Sequence, residues 1–150
     1  MSSGGAGSRG AAGRRRRGRE LALRVLFELE GTDRDATTSL DYHAADLGAA
    51  ADVADFARRL VAGTLEHRVE VDAAITAASS NWALADIGKV ERAVLRLGTY
   101  ELLHSSDVPV GAAIDEAIEL ARTYAGDEAA PFVNGVLGRI ARQREETGAR

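Results

Sequence analysis

Residues 90–103 read VERAVLRLGTYELL. Val90, Val94, Leu97 and Glu101 recur at helical spacing on one face, and Ala93, Leu95, Leu102 and Leu103 widen the apolar arc. A helix that is apolar over most of its circumference must be surrounded by other elements. The segment therefore predicts a central helix over about 86–104, with Asp86 as its cap. Ser105-Ser106-Asp107 and Pro109 break it.

The same periodicity extends in both directions. Downstream, Val110, Ala113, Ile114, Ala117, Ala121 and Tyr124 give a clean stripe over 110–124, ended by Gly126. Val133, Val136, Leu137 and Ile140 predict a last helix over 129–144, with Pro131 tolerated in its first turn. Upstream, helices are predicted over 17–30, 52–67 and 70–79. Residues 33–51 read more weakly: Leu40, Tyr42 and Leu47 anchor at most a short turn, and the rest reads as loop. No stretch alternates with period two, so the fold class is all-α, with about seven helices. Residues 1–13 hold five glycines and no apolar face, which predicts an unordered tail. The charged residues 145–150 are expected to fray.

Charge is split along the 150 residues. The net charge is −4, yet residues 1–19 carry six arginines and no acid. The remainder is strongly acidic. A basic arm on an acidic body suggests a polyanion-binding segment joined to a domain with another partner. The absence of cysteine excludes disulfides, thiolate nucleophiles and Cys-ligated metals, and fits a cytoplasmic location. No apolar run is long enough to span a bilayer, and the N-terminus lacks the apolar core of a secretory signal.

Catalytic signatures are missing. Gly5, Gly7 and Gly10 spell a literal G-x-G-x-x-G, but no strand precedes it, so it carries no dinucleotide reading. His43, His67 and His104 fall on three separate segments, without metal-ligand spacing, which gives no metal site and no cofactor. The carboxylates Asp115, Glu116, Glu119, Asp127 and Glu128 read as a solvated face and a helix start. The chain is expected not to be an enzyme. The informative feature is Arg14 to Arg17 with Arg19, where guanidinium groups can pair with phosphates and stack on bases. At a helix start these charges oppose the macrodipole, a penalty that a bound polyanion would remove. Arg96 stands out inside an apolar helix, where pairing with an acid such as Glu101 or Glu119 is the plainer reading. Asn134-Gly135 implies a close helix approach or exposed backbone.

Taken in order, RRRRGRELALRVLFELE (14–30), FARRLVAGTLEHRVEVDAAI (56–75), VERAVLRLGTYELL (90–103), DVPVGAAIDEAIELAR (107–122) and FVNGVLGRIA (132–141) resemble the NusB transcription antitermination family. The resemblance covers about residues 14–142. It implies a NusB-like helical bundle of two packed subdomains, 14–80 and 81–144, within one RNA-binding domain over 14–144. It further implies that the protein binds boxA RNA together with NusE, a small-subunit ribosomal protein, in an RNA polymerase antitermination complex. That complex suppresses premature termination in ribosomal RNA operons.

Carried over by position, the RNA-binding residues are Arg15, Arg16, Arg17 and Arg19, with Glu128 and Phe132 near the last helix and Arg96 on the same surface. Phe27 and Glu91 fall at NusE-interface positions. The chain departs from the family pattern in four places. Phe27 stands where many members have tyrosine, Pro131 where a polar or basic residue is frequent, Asp115 where asparagine is usual, and Gly98 where alanine is common. Two other readings stay open. A similar helical domain precedes the catalytic part of some ribosomal RNA cytosine-5 methyltransferases, though the chain has no catalytic cysteine and no room for a cofactor-binding α/β domain. A homodimer burying the RNA site is the other.

Overall fold

The computed structural model describes residues 3–147, and side chains from residue 10 onward. Seven α-helices follow one another: α1 (Ser3–Gly31), α2 (Ala36–Leu47), α3 (Ala51–Glu66), α4 (Arg68–Ala78), α5 (Lys89–His104), α6 (Val110–Ala125) and α7 (Ala129–Thr147). A 3₁₀ turn, Leu84–Asp86, precedes α5. There is no strand among the described residues, and no helix there is long and apolar enough to cross a membrane.

The chain divides into two compact units, Met1–Ala62 and Gly63–Arg150. The division falls inside α3. In the first unit α1 packs on α2. Leu21, Ala22, Val25 and Leu26 of α1 are buried, as are Leu40 of α2 and Val53, Ala57, Leu60 and Val61 of α3. Gly18 sets the approach of α1 to α3: a Cβ there would lie 2.4 Å from Phe56 Cδ2. Only a residue without a side chain fits.

In the second unit α5 is central and packs against α4, α6 and α7. Its residues from Ala93 to Thr99 are all buried, as the all-round apolar pattern predicts. The predicted cap moves: Asp86 closes the 3₁₀ turn, and Gly88 occupies the N-cap of α5. Arg92 holds this corner by donating through Nη1 to the carbonyls of Leu84 and Ile87, at 3.2 and 2.9 Å.

Two expectations fail. Residues 36–47, read as mostly loop, form α2. Its apolar stripe is thin, but its ends are well made: Asp35 Oδ1 accepts from the Thr38 amide at 2.8 Å, and Gly48 closes the helix at φ 62°. The glycine-rich leader is the second. Residues 3–13, expected to lack order, lie within α1, while residues 1 and 2 fall outside the described residues. Helix propagation is cheaper than nucleation, so a packed helix from Gly18 onward can extend backwards through alanines and arginines. At the other end α7 runs to Thr147, which places residues 145–147 of the expected frayed tail inside the helix; 148–150 lie outside the described residues.

Candidate nucleic-acid and protein interface

The arginine run of the first unit is not a single surface. Arg14 to Arg17 are exposed on α1, while Arg19 is buried at 4% exposure. Arg19 places its guanidinium over the Phe56 ring, 5.6 Å from the centroid, and Arg59 approaches the same ring at 6.0 Å. Such cation–π packing serves the α1–α3 contact. Arg19 is thus held in the packing of α1 on α3. Arg14 Nε pairs with Asp52 Oδ2 at 3.1 Å, with both groups largely in solvent. Arg15, Arg16 and Arg17 are exposed cations on the same helix. Because α1 begins at Ser3, they sit more than two turns inside the helix. The dipole conflict expected for a helix start falls away there.

Arg96 is also corrected. It is 8% exposed on α5 and donates to Asp72 of α4, from Nε to Oδ1 at 2.8 Å and from Nη2 to Oδ2 at 3.2 Å. A guanidinium gripped in this two-pronged way is a strut between helices.

In the second unit, Glu91, Glu128 and Phe132 come together. They line one groove of about 490 Å³ with Trp82, Asp86, Ile87, Gly88, Ala125 and Ala129. Glu91 lies in the first turn of α5, Glu128 is exposed just before α7, and Phe132 is half-buried in the first turns of α7. The Trp82 indole, 52% exposed, meets the Phe132 ring edge-on at 6.2 Å between centroids. A smaller hollow continues past this pair along Ser79, Asn81, Gly135 and Arg139. Arg139 anchors the segment by donating to the Ala78 carbonyl at 2.8 Å, which caps the end of α4. Gly135 is exposed with open space around its backbone, so the exposed-backbone reading of Asn134-Gly135 holds.

The groove is acidic and aromatic. Its carboxylates repel phosphate. What a carboxylate beside exposed rings can take is a base amino group with its stacking face, or a basic side chain. Trp82, which the sequence offers with Leu84 as a large apolar anchor after Ser79-Ser80-Asn81, stands instead half in solvent. Phe27 of the first unit is 43% exposed, as an interface position requires.

The comparisons with known proteins agree with this architecture. The family model "NusB family" matches residues 16–142. The chain belongs to the NusB family. The transcription antitermination protein NusB of Geobacter sulfurreducens is 41% identical over 138 residues, covering 91% of this chain and 99% of that protein. The NusB protein of Heliobacterium modesticaldum is also 41% identical, over 88% of this chain, and the chain spans only 64% of that longer relative. Among solved structures, T. maritima NusB superposes with a TM-score of 0.79 at 38% identity, over 86% of this chain and 91% of that one. A structure of the antitermination factors NusB and NusE in complex with double-stranded RNA matches with a TM-score of 0.79 at 27% identity, over 87% and 97%. The NusB relatives are named for transcription antitermination, not for a catalysed reaction.

Proposed function

We propose that this NusB-family protein is a transcription antitermination factor that binds boxA-type single-stranded RNA together with NusE. It acts in the cytoplasm within an RNA polymerase antitermination complex, promotes processive transcription of ribosomal RNA operons, and catalyses no reaction. The observation that carries the reading is the exposure of Arg15, Arg16 and Arg17 on a family scaffold whose solved relative holds both NusE and RNA. These guanidinium groups supply salt-dependent affinity for phosphates. The Trp82–Phe132 edge with Glu128 supplies a stacking surface and an acceptor for base amino groups. Glu91 and Phe27 offer contacts to a basic ribosomal protein, with steering from the acidic body.

The test is binding of boxA RNA, with and without NusE, at two salt concentrations. NusE is expected to tighten RNA binding, and Phe132→Ala to weaken it by roughly 1–3 kcal/mol, the range for one lost base–aromatic stack. Equal affinity for boxA and a scrambled strand, in the presence of NusE, would reject the assignment.

A further inference from the structure

The sequence separates the histidines, but the second unit brings two of them together. His67 is the N-cap residue of α4, Glu70 lies in that helix's first turn, and His104 is the last residue of α5. The His67 and His104 rings stack with centroids 3.9 Å apart and planes 23° from parallel. Tyr100, one turn before His104, stacks on both rings at 6.0 and 5.6 Å. Both imidazoles turn a nitrogen toward the same atom, Glu70 Oε1: His104 Nε2 at 2.7 Å and His67 Nδ1 at 3.6 Å. Among the described residues, these three have one ligand atom each within 4.8 Å of one another.

We propose that His67, Glu70 and His104 form a binding site for a divalent transition-metal ion of the zinc class. Two imidazole nitrogens and one carboxylate oxygen are the donor set of such ions, whereas magnesium and calcium take oxygen alone. The spacing fits. Ligands at about 2.0–2.1 Å from a tetrahedral ion lie roughly 3.3 Å apart. The His67–Glu70 separation of 3.6 Å is close to that edge and too long for a hydrogen bond. The His104–Glu70 separation must open by roughly 0.6 Å, within reach of an exposed glutamate on a flexible stem. Glu70 and His104 are exposed, so the site is open to solvent. The ion would tie the start of α4 to the end of α5.

The test is calorimetric titration of zinc chloride into the full chain after chelator treatment and dialysis. Cobalt(II) absorption serves as an independent report of nitrogen-containing tetrahedral coordination. One zinc per chain is expected. His67→Ala and His104→Ala should each weaken it on the order of tenfold or more, because even outer-shell changes cost that much. Glu70→Gln, at an exposed position, weakens it without threatening the fold, and His43→Ala leaves it unchanged. Circular dichroism checks that each variant is helical. Absence of saturable zinc binding by the unaltered chain overturns the proposal. So does undiminished binding by a folded Glu70→Gln or His104→Ala variant.

Discussion

Arg96 of α5 and Asp72 of α4 form a two-pronged ion pair, 2.8 and 3.2 Å long, at the edge of the second unit's core. The Arg96 side chain is 10% exposed and that of Asp72 is 24% exposed. Cutting such a pair strands a charge that water reaches only in part. Arg96→Ala is expected to destabilise the protein by roughly 2–3 kcal/mol, below the ~3–5 kcal/mol of a fully buried pair. Lysine should rescue little, since it cannot match both carboxylate oxygens. Urea denaturation measures the loss, and RNA affinity of the folded variant should not change. A drop in affinity without a drop in stability would return Arg96 to the RNA surface.

Arg15, Arg16 and Arg17 give the opposite pattern. Replacing all three with alanine leaves the buried face of α1 untouched, so thermal stability should hold. The dependence of log affinity on log salt should become shallower by up to about 2, taking ~0.7 per phosphate contact on a single strand. Filter binding across a salt series reads this directly. An unaltered slope would remove the arm from the RNA interface.

Two glycines on neighbouring helices separate propensity from packing. Gly135 is exposed in α7, and a Cβ there would meet open space. Gly135→Ala should stabilise by up to about 1 kcal/mol. At Gly98 a Cβ would lie 3.1 Å from Leu137 Cδ1 and 3.3 Å from Ala117 Cβ, where α5 meets α6 and α7. Overpacking of about 1–3 kcal/mol then offsets the propensity gain, so Gly98→Ala should be neutral or destabilising. Paired melting curves decide both.

Glu28 controls the acid limb of stability. Its pKa is lowered, first by the nearby Ser39 hydroxyl, against some desolvation, and further by His43 and Arg34. His43 Nε2 lies 3.1 Å and Arg34 Nη1 3.4 Å from its carboxylate. A lowered folded-state pKa means that the unfolded chain takes up the proton first. The stabilisation is therefore full above the ordinary glutamate range and is lost as pH falls through it to the lower folded-state value. Glu28→Gln should flatten the stability profile between neutral and acid pH, as measured by denaturation at a series of pH values.

What the sequence revealed depended on how local the signal was. The circumference of α5 is apolar within one continuous stretch, so its central place was legible. The α2 helix was hidden because Leu40 is its single deeply buried aliphatic side chain, yet Asp35, Thr38 and Gly48 carried its ends in plain view. The arginines defeat reading by composition: Arg17 and Arg19 look equivalent as letters, and only the position of Phe56 on another helix turns one inward. Likewise His67 and His104 meet through the packing of α4 on α5, which no spacing rule within one helix encodes. Glu91, Glu128 and Phe132 were found by family position. That they line one groove with Trp82 is a fact of tertiary structure.

Helical geometry over residues 14–17 constrains how RNA approaches. Successive side chains on an α-helix diverge by about 100°, so Arg15 and Arg17 project to nearly opposite sides of the rod. A straight oligonucleotide lying along one flank meets only a part of the run. Engaging every guanidinium at once requires a strand that coils around the rod, or a rod that unwinds as the strand arrives.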